Sequence, residues 1–221
     1  MQKCDLLIKG ADVLINSGEL RGNVDIAIAD GRILAVDADL AQAYEADEVL
    51  DGRYKLFMPG LVDSHMHTGQ QLLKGLVLDA KPIIWTRVML PFESTLTPEK
   101  MRLSAQAAAL EMIKSGTAGF IDAGSYFMED AAAVYETSGL RGALSYSTMD
   151  EEGLPESIAM DANEAVRRTD SGTSRYSASG PDRPRAAYWA ARSAAAAGRY
   201  PAMSALLRGT VGLVGRRVQQ L

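Results

Sequence analysis

The chain has 221 residues, 47% of them hydrophobic, and a formal net charge of −5. That is enough apolar material for a substantial core, and the acidic balance argues against a nucleic acid or an anionic membrane surface as the main partner, leaving a small neutral or polar ligand. Charges at Lys3, Asp5, Lys9 and Asp12 interrupt any signal-peptide core, no run approaches the ~20 apolar residues of a membrane span, and a single cysteine, Cys4, excludes an intrachain disulfide, so a cytoplasmic setting is expected.

Taken in chain order, residues 1–55 read as a small β unit. Val24, Ile26 and Ile28 alternate before Asp30-Gly31, and Ile33 and Val36 follow; Asp-Gly between such runs signals a two-residue hairpin. A unit of this size needs strands from elsewhere to be stable. From residue 56 the pattern changes. "LFMPGLVDSH" reads as one strand, and a helix follows with Thr97 as its N-cap, Pro98 at its first position and Met101, Ala105, Ala108 and Met112 as an apolar stripe ending near Gly116. "TAGFIDAG" is a second strand, residues 128–138 closed by Gly139 a second helix, "LRGALSYST" a third strand, and "PESIAMDANEAVRR", opened by Pro155, a third helix. Alternation of this kind predicts an α/β fold with a parallel sheet, about three βα units over residues 56–170.

Beyond residue 170 the composition shifts. Residues 171–221 hold eight arginines, no lysine and one acid, Asp182, a net +7, whereas residues 1–170 carry fifteen basic and 27 acidic residues, a net −12. Glycines and Pro201 interrupt what helical pattern there is, and the segment reads as a poorly ordered tail.

His65 and His67 are the only histidines. On a strand, residues i and i+2 project from one face about 6.6 Å apart along the chain, so both imidazoles can reach one metal at ~2.0–2.1 Å. A bare His-x-His is most often two unrelated imidazoles, but the context here is specific. "MPGLVDSHMH" resembles the P-G-[FL]-[VI]-[DN]-x-H-x-H signature of the amidohydrolase superfamily. The stretches from Gly69 to Glu99 and "EMIKSGTAGFID" resemble the branch that holds 5′-methylthioadenosine/S-adenosylhomocysteine deaminases, triazine chlorohydrolases and guanine deaminase. That resemblance implies a partial (β/α) barrel of the TIM type. It also implies one divalent metal, zinc or iron, whose bound water attacks a ring carbon of a heterocyclic substrate. His65 and His67 match its first two ligands. Glu93 matches, within a residue of spacing, the glutamate that holds ribose hydroxyls; an exposed glutamate before Pro98 is the other reading. Trp85 either lines the substrate pocket or sits in the core. Asp122 and Asp150, at strand ends, are supporting groups of the site or turn formers.

The family pattern also requires a third histidine, a glutamate three residues beyond it, a fourth histidine and a late aspartate. No histidine follows residue 67, and the candidates for the late aspartate reduce to Asp182. From residue 56 only 166 residues remain, against the ~200–250 of a full barrel. The expectation is therefore a chain that begins as an amidohydrolase and departs from it near residue 170, by truncation, frameshift or replacement. Its catalytic residues stay unassigned. The alternative is a non-catalytic remnant or interaction module, completed by a second polypeptide in an oligomer. A nucleic-acid role for the tail is disfavoured, since it has few aromatics and no motif.

Overall fold

The structure, a computed structural model, describes residues 1–15, 18–77, 84–149 and 153–168, and the backbone of 186–188. Two compact units divide between Pro59 and Gly60.

The first unit is one sheet. β1 (Gln2–Leu14) pairs antiparallel with β2 (Leu20–Ala29), which pairs antiparallel with β3 (Arg32–Asp37). The expected hairpin is present: Ala29 faces Arg32, and Asp30 (φ 52°) and Gly31 (φ 68°) make the turn. Both residues are left-handed, as the twist-matched two-residue turn requires, which is why Asp-Gly stands there. On its other side β1 runs parallel to β4 (Tyr44–Asp51) and, further along, to β5 (Leu56–Phe57). A register shift between Ile8 and Ala11 marks a bulge at Gly10 (φ 68°), whose N–H is taken by the buried Asp25 carboxylate at 2.9 Å. Side chains on alternate faces of β1 form two small clusters, Cys4 and Leu7 with Ala27 and Leu40, and Ile8, Ala11 and Val13 with Ile26.

"LFMPGLVDSH" is not one strand. Leu56–Phe57 belongs to the first sheet, the chain turns at Pro59-Gly60, and β6 (Leu61–Met66) opens the second. Proline supplies no ladder N–H, so it divides the run. Gly60 is required there, because a Cβ would lie 2.3 Å from the Ala118 Cβ.

In the second unit β6, β7 (Thr117–Asp122) and β8 (Arg141–Leu144) are parallel neighbours, connected by helices as the alternation predicted. After the short α1 (Leu90–Glu93), α2 (Pro98–Lys114) links β6 to β7. The Thr97 side chain accepts the Lys100 N–H, and the expected stripe, Met101, Ala105, Ala108 and Met112, is buried. α3 (Met128–Ser138) links β7 to β8 and ends at Gly139 (φ 80°). The core lies between these helices and the sheet, where Phe120 packs on Tyr135 with ring centroids 4.4 Å apart. Burying a side chain such as Met101 or Met128 contributes roughly 1.5–3 kcal/mol.

Two expectations are corrected. The third helix does not begin at Pro155; residues 155–159 form a turn and α4 covers residues 162–168. Asp161 outcompetes proline as the start because its carboxylate accepts the Asn163 and Glu164 N–H groups at 2.8 and 2.9 Å. Beyond residue 170, where no strand was expected, the backbone of β9 (Ala186–Tyr188) pairs parallel with β8. Three residues are too short to display a period.

Candidate functional site

The carboxyl ends of β6, β7 and β8 collect the polar groups of the second unit, as the ends of parallel strands followed by helices do. His65 closes β6 with its side chain exposed, and its N–H is held by the Asp63 carboxylate at 3.1 Å. His67, half-buried, follows directly. The two rings stand edge to face with centroids 5.0 Å apart. Both are therefore on one side of the strand, as their spacing required.

The surroundings of His67 differ from those of His65. Its Nδ1 lies 3.2 Å from the Gly124 carbonyl oxygen beyond the end of β7. A carbonyl only accepts, so this contact places the proton on Nδ1 and leaves the Nε2 lone pair free. Gly124 has φ 113°, a region open essentially to glycine, and its N–H is donated to Asp122 Oδ1 at 2.8 Å. The second oxygen of Asp122 accepts the Thr68 N–H at 2.9 Å and the Thr68 hydroxyl, which in turn is 2.8 Å from the Tyr135 hydroxyl. Asp122 is 1% exposed. Burial pushes its carboxyl above the ordinary range, opposed by the hydrogen bonds from Thr68 and Gly124 and by attraction to His67.

Glu93, at the end of α1, is 3% exposed. This decides against the exposed-glutamate reading. Its Oε1 accepts the Ser125 hydroxyl at 3.1 Å, and burial raises its carboxyl against the pull of Ser125, His67 and Gln70. Gly69 lies against the same serine: a Cβ on it would sit 1.9 Å from Ser125 Oγ. Trp85, at the start of the helical turn before α1, is 44% exposed and stands apart from this polar group. Asp122 is placed as a supporting group; Asp150 and Asp182 lie outside the described residues. The sequence reading missed Thr68, Gly124, Ser125 and Tyr135. Loop serines, threonines and glycines carry no spacing signal, and only the position of "DAGS" after a predicted strand hinted at them.

A strand-end His-x-His pair held by groups from the next strand was the pattern that the first motif led one to expect. The sequence profile of the amidohydrolase family matches residues 56–196, nearly two thirds of the chain. The chain belongs to the amidohydrolase family. The match runs past residue 170, so it does not stop where the composition changes.

Curated relatives include the 5-methylthioadenosine/S-adenosylhomocysteine deaminase of Thermococcus onnurineus (strain NA1), 37% identical over 163 residues, covering 73% of this chain and 38% of that protein. The 5′-deoxyadenosine deaminase of Methanothrix thermoacetophila is 38% identical over 141 residues, covering 63% of this chain and 33% of its own length. The chain thus spans under two fifths of these amidohydrolase relatives. Among solved structures, an adenosine deaminase from Xanthomonas campestris with bound zinc superposes with a TM-score of 0.72 at 24% identity, over 85% of this chain and 42% of that one. A triazine hydrolase from Arthrobacter aurescens gives 0.71 at 19%, over 83% and 45%. These likenesses establish a shared α/β fold.

Against a metal, the donor set fits in part. Two neutral imidazoles suit zinc or iron, and His67 presents a free Nε2 with its other nitrogen anchored, the usual arrangement of a ligating histidine. Among the described residues, however, no group of three or more His, Cys, Asp or Glu side chains is placed to hold an ion. Asp122 is committed to Thr68 and Gly124. The geometry is that of half a metal site.

Proposed function

We propose that this chain is the leading part of a metal-dependent amidohydrolase that hydrolyses carbon–nitrogen bonds other than peptides, deaminating a purine nucleoside-like or other heterocyclic substrate, and that alone it is inactive. The observation that carries this reading is the pairing of His65 and His67 at the end of β6, with His67 anchored on Gly124, in a chain of the amidohydrolase family. The reading continues β6 to β9 as part of a (β/α) barrel whose carboxyl-end mouth holds the site. A divalent ion, zinc or iron, would supply an ionised water at near-neutral pH. His65 and His67 would hold it, and Glu93, buried and already accepting one hydroxyl hydrogen bond, suits a pair of substrate hydroxyls. Trp85 is retained as a wall of the substrate pocket. No proton shuttle is assigned, because no described residue fits one.

No helix among the described residues is long and apolar enough to cross a membrane. A cytoplasmic enzyme of small-molecule metabolism, able to associate with further subunits, is the setting proposed.

The purified chain is expected to take up zinc weakly and lose it on dialysis against chelator, with uptake abolished in a His65→Ala/His67→Ala double variant. It should release no ammonia from S-adenosylhomocysteine, methylthioadenosine, adenosine or guanine above a His65→Ala control. Stoichiometric zinc that survives the chelator, or saturable metal-dependent ammonia release lost in that control, overturns the claim of inactivity. Complete absence of zinc uptake overturns the metal reading and leaves the non-catalytic module, which the lack of a third ligand among the described residues favours.

A further inference from the structure

We infer that Asp122 and Gly124 are positioning residues that fix the tautomer of His67, so that its Nε2 is the nitrogen offered to a ligand; this rests on the metal reading above. The chain of contacts is continuous. Asp122 Oδ1 accepts the Gly124 N–H at 2.8 Å, which sets the peptide plane on one side of Gly124. At φ 113°, a conformation that side chains rarely adopt, Gly124 presents its carbonyl oxygen 3.2 Å from His67 Nδ1. The site is rigid around this device. A Cβ on Gly124 would meet Ser145 Oγ, the Ser147 nitrogen and Ser147 Oγ, each at 3.2 Å. Asp122 is itself locked by the Thr68 N–H and hydroxyl, and Thr68 by Tyr135.

His65 has no such anchor: its side chain is exposed, and its contact is with the His67 ring. One imidazole therefore arrives preset and the other adapts to it. An aspartate is needed at residue 122 because both of its oxygens face donors. An asparagine would turn an NH2 group toward either Gly124 or Thr68, setting a donor against a donor. The consequence passes to His67 through the Gly124 carbonyl, without any contact between Asp122 and a ligand.

The test is nitrogen-15 NMR of the imidazoles in the metal-free full chain, in buffer alkaline enough to keep both neutral. For the wild type, His67 is expected almost wholly as the Nδ1–H tautomer and His65 as a mixture. In Asp122→Asn and Gly124→Ala, His67 should shift to a mixture, and cobalt(II) affinity read by its visible spectrum should fall about 10-fold or more. Ser145→Ala serves as the structural control. Its hydroxyl donates to the Asp122 carbonyl at 2.8 Å, so it perturbs the same buried region without touching the link to His67. It should leave the tautomer unchanged. A wild-type His67 protonated on Nε2, or an unchanged tautomer in folded Asp122→Asn, overturns the inference, and the wild-type spectrum decides even if both variants fail to fold. The expected tautomers with no cobalt uptake by the wild type support the positioning device and overturn the metal reading instead.

Discussion

β6 and β7 are neighbours in one parallel sheet, yet they are built oppositely. On β6, Leu61 and Val62 are 54% and 70% exposed and His65 projects into the open; on β7, Phe120 and Asp122 are 3% and 1% exposed beneath α2 and α3. The strand that carries the ligand pair therefore contributes little to the core, while the strand beside it carries both the packing and the groups that aim His67. The recognisable motif and the residues that make it work are on different strands. A protein can hold a ligand on a lightly packed strand if the next strand supplies the fixed hydrogen-bond partners.

The largest effect should come from β7. Asp122→Ala leaves the Thr68 N–H, the Thr68 hydroxyl and the Gly124 N–H facing a vacated acceptor in a buried site. A loss of about 3–5 kcal/mol is expected in denaturant unfolding, from several unsatisfied donors at ~1–3 kcal/mol each without full additivity. A loss under ~1 kcal/mol would show that water or rearrangement satisfies those donors, and that β7 is not the rigid partner.

Next is the close approach of the loop after β6 to the loop after β7. Gly69→Ala would place a Cβ 1.9 Å from Ser125 Oγ and 2.8 Å from its Cβ. The hydroxyl can rotate, but the Cβ cannot, so the backbone must part. Overpacking of this kind costs about 1–3 kcal/mol, and it should also remove the Ser125 hydrogen bond to Glu93. An unchanged midpoint would mean the two loops are not held together.

The buried Glu93 adds a pH-dependent prediction. Its carboxyl is raised by burial, so the folded state binds a proton more tightly than the unfolded state does. Stability from this group is fully present below the ordinary glutamate value and is lost as pH rises through the raised value. Glu93→Gln keeps an acceptor for Ser125 and carries no charge. Relative to that variant, the wild type should lose stability as pH climbs from the ordinary glutamate range toward neutrality; parallel curves would mean that the carboxylate is compensated by groups around it.

Much of this was legible in the sequence. Asp30-Gly31 and Thr97-Pro98 specify local geometry that tertiary packing has no reason to override, and the apolar stripe of α2 emerged as read. The histidine pair was legible because a two-residue period on a strand has one geometric meaning. The division of "LFMPGLVDSH" was harder, since Leu56–Phe57 and Leu61–Met66 are both apolar runs and only pairing decides which sheet each joins. The start of α4 was hidden by a proline and an aspartate that both signal helix beginnings. The support of His67 was illegible for a different reason: Gly124 and His67 are 57 residues apart, and a backbone carbonyl carries no sequence signal.

The smallest effect should separate the two histidines. His65 is exposed and engages its partner through ring contact alone, so His65→Ala should change stability by no more than ~0.5 kcal/mol, as surface substitutions do. His67→Ala gives up the hydrogen bond to Gly124 and part-buried packing, and should cost about 1 kcal/mol more. Both should abolish zinc uptake, because neither imidazole alone makes even half a site. Unfolding midpoints and zinc titrations of the two single variants test this together. Equal destabilisation would erase the difference between an anchored and a free ligand, and the contrast between β6 and β7 would then not extend to the histidines. If the ordering holds, the asymmetry seen between the strands is repeated within β6 and its exit. There, the ligand nearer the solvent depends on the metal for its position, and the ligand nearer β7 depends on the protein.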